Sequence, residues 1–453
     1  MGSEDSALLT DLYALTMLQA YHDEGMRGEA VFDLFVRALP PGRNFMIAAG
    51  IEQAIDYLET LRFTADELAW LRGTGRFRPD FVDSLADFRF TGSVHALREG
   101  SLFFGGEPVL RVQAPIGEAQ FVESRLINLV HYASLVATKA ARCVLAAPGH
   151  LLVDFGLRRA HGAEAGLLAA RASYLAGFAG SATALAGQRF GVPVFGTMAH
   201  SYIQAHDLES EAFMHFAGSM GRNVTLLIDT YDTEAAAARI VALAPALRRR
   251  GASLAAVRLD SGDLAAHAHR VRGILDAGGL AEVRIFASGD LDEARIARLL
   301  ATGAPIDGFG IGTRLTTSAD GPAMDAVYKL AMYAGEGRRK RSEGKATWPG
   351  IKQVWRRSGP DGCYAGDCLG LVDEDSAGRG EALLRPVMEA GRRLAPPEPL
   401  EALRGHAAAE LARLPEPLRA LAPVAAPEAY PVEISLALRE LAGAVDRRQQ
   451  AGR

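Results

Sequence analysis

The chain has 453 residues, 49% hydrophobic and 23% charged, with a formal net charge of −5. That length exceeds one ordinary compact domain, so two or three units around a sizeable core are expected. Acidic and basic residues are interspersed, which excludes the one-sided basic field of a general nucleic-acid binder but leaves room for anionic small molecules.

Residues 8–21 show apolar and aromatic residues at helical spacing, with Thr10 or Asp11 at the start. Residues 29–38 alternate as a strand does, helical stretches follow at 47–72 and 79–87, and 91–112 reads as β-hairpins broken at Glu99-Gly100 and Gly105-Gly106. Residues 118–145 are again helical in pattern. Six short apolar runs then recur, each ending in polar or glycine residues: 151–156, 192–197, 225–230, 254–260, 283–289 and 305–312. Helical patterns at 234–250, 264–277 and 291–302 lie between the later runs, and this alternation predicts a parallel α/β sheet. Six consecutive units could close into an irregular TIM-like (β/α) barrel, with an open doubly wound sheet as the alternative. After 330 come a basic loop at Arg338–Arg341, a hairpin-like stretch at 351–372, a Pro-rich break at 396–399, and Ala/Leu/Arg helices to a fraying end. The division expected is 1–117 as a mixed α+β domain, 118–330 as the α/β barrel domain, and 331–453 packing partly on the first.

In either α/β fold, functional groups gather at the carboxyl ends of the strands, and the polar residues fall there six times over. Arg258-Leu-Asp-Ser-Gly-Asp263 is the strongest motif. Period two puts Arg258 and Asp260 on one strand face, with Asp263 at the start of the next helix. An arginine binds phosphate, and carboxylates orient sugar hydroxyls or hold hydrated Mg²⁺; the alternative is an Arg–Asp pair that only locks a strand end. Ser288-Gly-Asp290 and Gly308-Phe-Gly-Ile-Gly-Thr313 let backbone amides approach an anion, or make tight turns with helix caps. His200, in Gly196-Thr-Met-Ala-His-Ser201, follows the 192–197 run and could serve as a base or nucleophile. His161 and His206 are weaker candidates, and Tyr13 reads as a core or interface aromatic.

Cys143, Cys363 and Cys368 form no CxxC pair, so neither a disulfide framework nor a four-thiolate zinc site is expected. The opening Met-Gly-Ser-Glu-Asp-Ser lacks the pattern of a secretory leader, and no apolar run approaches the roughly 20 residues of a membrane span. The expectation is a cytoplasmic enzyme acting on a phosphorylated ligand.

Taken in order, Thr10-Asp-Leu-Tyr-Ala-Leu-Thr-Met17, Phe155-Gly-Leu-Arg-Arg-Ala-His-Gly162, Gly196–Ser201, Arg258–Asp263, Gly308–Thr313 and Lys345-Ala-Thr-Trp-Pro-Gly-Ile-Lys-Gln-Val354 make the chain resemble the nicotinate phosphoribosyltransferase family. The resemblance implies a homodimer with active sites shared between subunits. It also implies the reaction of nicotinate with phosphoribosyl pyrophosphate, coupled to ATP hydrolysis and assisted by Mg²⁺ held mainly through substrate phosphates. By the same resemblance, the pyridine ring stacks between Phe155 and the Tyr13 of a second copy, and Arg158 meets a carboxylate or phosphate. His200 is the histidine that ATP phosphorylates, with Ser201 beside it. Arg258 and Asp260 hold the ribose-phosphate region, Asp263 is a further substrate-binding residue, and Gly289, Gly310, Gly312 and Thr313 contact phosphate. In the related nicotinamide phosphoribosyltransferases an aspartate binds the substrate amide; the corresponding stretch here is Gly180-Ser-Ala-Thr183, with Ala182 in its place, which favours the acid. A catalytically silent nucleotide-sensing barrel is the alternative from another class, and it predicts loss of residues that this chain retains.

Overall fold

The computed structural model describes residues 6–424 and 429–451. The five residues before Ser6, part of the stretch read for a leader, and the last two, read as a fraying end, lie outside the described residues. The chain is mixed α/β and divides into two compact units, one of residues 1–138 with 321–453 and one of residues 139–320. This division differs from one drawn at 117 and 330, because the strand Ala326–Tyr333 belongs to the first unit's sheet.

That sheet has seven strands, in the order Glu336–Gly337, Ala326–Tyr333, Glu29–Val36, Pro108–Pro115, Ser93–Ala96, Arg385–Glu389 and Arg392–Arg393. Glu29–Val36, legible from its alternation, lies inside the sheet rather than half in solvent, and only its first residue is exposed. Its antiparallel neighbour Ala326–Tyr333 stacks Tyr328 on Phe32 with ring centroids 4.8 Å apart. The single helical expectation at 47–72 resolves into Ile51–Thr60 and Ala65–Gly73. The break between them is written at Thr64, whose side chain and that of Glu67 cap each other's backbone. Residues 46–47 are not helical; Met46–Ile47 pairs with Leu102–Phe103, so that short strand does not form a hairpin with its sequence neighbours.

Lys352–Ser358 and Tyr364–Leu371 form the expected hairpin, extended by Glu381–Ala382 and Val432–Ile434 into a second sheet. Its core is ionic. The Arg356 guanidinium donates to both oxygens of Asp367 (Nε–Oδ1 3.0 Å, NH2–Oδ2 2.6 Å) and reaches Glu410 at 3.2 Å. It also lies 4.7 Å from the Tyr364 ring centroid, while the Tyr430 hydroxyl donates to Asp367 at 2.7 Å. A third acid, Glu107, is buried beside this cluster and accepts the Phe104 N–H at 2.8 Å. Burial, followed by the charge of Asp367, pushes its carboxyl well above the ordinary range. A raised folded-state pKa contributes stability that is fully present below the unfolded value, about 4.3, and is lost as pH rises through the folded value. Glu107→Gln should therefore match the parent at or below about pH 4 and exceed it in stability at pH 8. Urea denaturation at the two pH values checks this; equal differences at both would refute it.

The second unit carries a parallel sheet in the order Gly180–Ser181, Leu151–Asp154, Gly308–Ile311, Arg284–Ala287, Leu254–Leu259, Val224–Leu227. Five of these strands match the predicted runs to within a few residues. The run at 192–197 forms no strand, contrary to expectation; Val194 makes one isolated parallel bridge to Ser181. Pro193 has no N–H to give a ladder, though its carbonyl accepts from Ser181. The two-residue strand Gly180–Ser181 takes the adjacent place, and it is too short to show any periodicity. The helices Thr233–Arg249, Leu264–Ala277 and Glu293–Ala301 follow their strands as predicted. Each starts at an aspartate, Asp232, Asp263 or Asp292, whose side chain accepts the N–H of the residue three positions on.

Candidate active site

Parallel strands deliver their carboxyl ends to one edge of the sheet, and there the second unit opens a cavity of about 600 Å³. Phe155, Arg158, Ala182, His200, Ser201, Arg258 and Asp260 all line it.

Arg258 and Asp260 share a face as period two requires. The guanidinium is held by Asp260 at 3.1 Å and donates to Ser288 Oγ at 2.9 Å, and it lies 5.5 Å from the Phe155 ring centroid. Ser288 Oγ in turn donates to Asp260 Oδ1. Burial raises the Asp260 carboxyl, but the Ser288 hydrogen bond and the Arg258 charge outweigh it and hold the group below the usual carboxylate range. It is therefore an anion at neutral pH.

His200 does not sit beyond a strand; it is the first residue of the helix His200–Gln204. Its Nδ1 lies 3.1 Å from Thr230 Oγ1, and its Nε2 lies 3.8 Å from Asp260. The imidazole is thus anchored through one nitrogen while the other faces the Asp260 side. His206 is engaged elsewhere, its Nδ1 2.8 Å from the Tyr202 carbonyl, and His161 is solvent-exposed.

Four residues to which sequence reasoning gave no side-chain role support these groups. Thr230 and Ser288 are two. Asp229 accepts the Asp260 N–H at 3.0 Å and the Ser261 hydroxyl through Oδ2, while its Oδ1 is buried without a hydrogen-bond partner among the described residues. Asp154 lies under the Phe155 turn and accepts from Gly156 N–H and Ser181 Oγ. Asp229 and Asp154 carried a signal, an acid at the end of an apolar run; what they hold depends on which loops meet in space.

The glycines read as phosphate contacts have a steric reason as well. A Cβ on Gly289, whose φ is +102°, would fall 2.1 Å from the Asp260 carbonyl oxygen. On Gly310 it would fall 2.6 Å from the Phe155 ring, and on Gly312 2.9 Å from the Phe155 carbonyl oxygen. Gly312 precedes the short helix Thr313–Thr316, and Asp263 is occupied as a helix cap. Next to Gly289, Asp290 adopts φ +50° and receives a two-pronged pair from Arg314 at 2.9 and 3.0 Å. Tyr13 stands 44% exposed on the first helix of the other unit. Among the described residues no group of three or more His, Cys, Asp or Glu is arranged to hold a metal, and no helix is long and apolar enough to cross a membrane.

Two family models match the chain: the nicotinate phosphoribosyltransferase N-terminal domain over residues 8–131, and the nicotinate phosphoribosyltransferase family over residues 150–345. A nicotinate phosphoribosyltransferase of Mycobacterium tuberculosis is 48% identical over 430 residues, covering 95% of this chain and 91% of the relative. One from Bacillus subtilis is 39% identical, covering 82% and 78%. The crystal structure of human nicotinic acid phosphoribosyltransferase superposes with a TM-score of 0.86 at 31% identity, covering 96% of this chain and 100% of that one. A nicotinate-nucleotide pyrophosphorylase structure from Pyrococcus furiosus shares the fold, with a TM-score of 0.73 at 24% identity, covering 90% and 96%.

Proposed function

This chain belongs to the nicotinate phosphoribosyltransferase family, and from that premise we propose that its cavity takes nicotinate and phosphoribosyl pyrophosphate and yields nicotinate mononucleotide and pyrophosphate, with ATP hydrolysed through His200. The observation that carries this reading is convergence. Phe155 and Arg158 for an anionic ring, Arg258 and Asp260 for a sugar phosphate, and His200 all line one cavity.

Glycosyl transfer passes through an oxocarbenium-like state, so the protein's task is to position ring, sugar and leaving diphosphate rather than to move protons. Phe155 offers a face to the pyridine, and Arg158, exposed at the cavity wall, offers charge to its carboxylate. Arg258, fixed by Asp260 and Ser288, presents a preorganised cation to the ribose-phosphate end. Gly289 and Gly312 pack against Asp260 and Phe155 of the cavity wall, and with Gly310 and Thr313 they are not themselves among its lining residues, so their contact with phosphate rests on the family resemblance. Ser201 follows His200 on the same wall, and Asp263 contributes by starting the helix behind the Asp260 turn.

Mg²⁺, when bound with the substrates, would neutralise the leaving diphosphate. Asp260 and Asp229 are the residues that fit it, the latter through its buried, unpartnered Oδ1, with the substrate phosphates supplying the remaining oxygens. The assembly we propose is a cytoplasmic homodimer in which the half-exposed Tyr13 of one copy closes the ring site of the other. The finer fold is an irregular barrel. Its support is the cyclic neighbour order of the strands, broken only between Val194 and Val224–Leu227.

The test is to supply Mg²⁺, phosphoribosyl pyrophosphate and either nicotinate or nicotinamide, with and without ATP, and to quantify mononucleotide and ADP. Product from nicotinate, raised by ATP with ADP release, is expected; no product from either base refutes the reading. Ala182→Asp adds a carboxylate to the ring wall and should lower kcat/KM for nicotinate by about 10–100-fold while improving the nicotinamide ratio, as a like charge against one ligand and a hydrogen-bond acceptor for the other require. An unchanged preference would mean that Ala182 does not face the ring.

A further inference from the structure

Asp154 ends the strand Leu151–Asp154 and is 1% exposed, yet none of its atoms lines the cavity. A carboxylate taken fully out of water persists only where directed hydrogen bonds replace its hydration. Here each oxygen has one such bond. Oδ1 accepts the Gly156 N–H at 2.7 Å, and Oδ2 accepts the Ser181 hydroxyl at 2.7 Å. Ser181 Oγ then accepts the Thr183 N–H at 3.0 Å, and the Asp154 carbonyl accepts the Ala182 N–H at 2.8 Å. One side chain therefore ties two separate turns, that of Phe155 to Arg158 and that of Ser181 to Thr183.

The turns are close-packed around it. A Cβ on Gly156 would fall 2.9 Å from Asp154 Oδ1 and 2.7 Å from Thr316 Cβ. Both turns present residues to the same cavity, Phe155, Leu157 and Arg158 from one and Ala182 from the other. The bonds through Asp154 link these two walls.

We propose that Asp154, acting with Ser181, is the positioning residue of the ring subsite, setting the gap between the Phe155–Arg158 wall and the Ala182 wall and thereby the affinity for the pyridine base. This rests on the reading that the base binds in this cavity. Asp154 touches no substrate; it acts by holding the groups that do. An amide at this position keeps the acceptor for Gly156 but turns a donor toward Ser181 Oγ, so Asp154→Asn replaces a charge-assisted tie by a weaker, reversed one and keeps the shape. Ser181→Ala removes the same tie from the other end.

The experiment measures KM for nicotinate, KM for phosphoribosyl pyrophosphate and the rate of ADP formation without base, in the full-length protein and in Asp154→Asn, Ser181→Ala and the double variant. The expected result is a nicotinate KM raised about 10–100-fold in each single variant, the cost of a wall displaced by about an ångström. The phosphoribosyl pyrophosphate KM and the base-free ADP rate should stay within about twofold, and the double variant should be no worse than Asp154→Asn, because both act through one hydrogen bond. Parallel losses in all three measurements, or multiplicative losses in the double variant, would overturn the proposal. Should Asp154→Asn not fold, soluble Ser181→Ala with an unchanged nicotinate KM overturns it equally. A parent protein that makes no nicotinate mononucleotide would overturn the substrate reading itself, and the positioning role with it.

Discussion

Replacing His200 with alanine should cut ATP-dependent ADP formation roughly a thousandfold, within the range that a positioned histidine supplies. It should leave a slow, ATP-independent synthesis of mononucleotide. The geometry separates the two activities. Nδ1 is engaged by Thr230 Oγ1 at 3.1 Å, so the nitrogen available to attack a phosphoryl group is Nε2. That nitrogen faces Asp260 across 3.8 Å, and Asp260 is itself neutralised by Arg258 at 3.1 Å. A phosphoryl group carried on Nε2 would therefore stand beside a carboxylate whose other oxygen is held by Arg258 and Ser288. The substitution leaves Phe155, Arg158 and Arg258 on the cavity wall, which is why turnover without ATP should persist. Labelling with γ-phosphate-labelled ATP gives the direct readout: acid-labile, base-stable label in the parent and none in His200→Ala. Label retained in the variant would move the phosphoryl acceptor elsewhere, and a variant still coupled to ATP would refute the role outright.

The second large effect is on stability rather than on chemistry. Arg356→Met should destabilise its unit by about 3–5 kcal/mol, because removing one partner of a buried ion pair strands the other. Arg356 serves two acids, Asp367, which is wholly inaccessible, and Glu410. Methionine fills part of the space between Phe104 and Tyr364 but gives neither carboxylate a donor. The three tryptophans, Trp70, Trp348 and Trp355, all belong to the unit of residues 1–138 and 321–453, so fluorescence excited selectively at tryptophan reports that unit alone in urea. A midpoint shifted by less than about 1 kcal/mol would show that water reaches the cluster. Adding Asp367→Asn to Arg356→Met should recover part of the loss, since it removes the stranded charge.

Much of the parallel sheet was legible because its signals are local. Three of its βα units carry an apolar run, a polar end and an aspartate cap, so the helices from 233, 264 and 293 fell where expected, and Arg258 and Asp260 could be put on one face by counting. The first unit was less legible. Ala326–Tyr333 pairs with Glu29–Val36 some three hundred residues away, and Met46–Ile47 pairs with Leu102–Phe103; neither partner can be inferred from its own neighbourhood. The same limit hid the supports of the site. Arg258, Asp260 and His200 are informative residue types in informative places, but Thr230, Ser288, Asp229 and Asp154 gain meaning only when separate loops come within hydrogen-bond reach. The glycines taught the reverse lesson. Read as making room for an anion, Gly289 and Gly310 also make room for the Asp260 carbonyl and the Phe155 ring, a demand that sequence cannot distinguish from the first.

The parallel ladder reaches Val194 on one side and Val224–Leu227 on the other, and the chain that runs between these margins carries His200. In mechanical terms it is a span seated at both ends. A load placed on its imidazole passes to Thr230, beyond the Val224–Leu227 margin, and toward Asp260 on the next strand. The ring wall is framed from the opposite margin, through Asp154 and Ser181. On the proposed role of His200, work done by ATP on this span would reach Asp260 and Arg258 before it reached the base, so its currency would be the grip on diphosphate and not the fit of the ring.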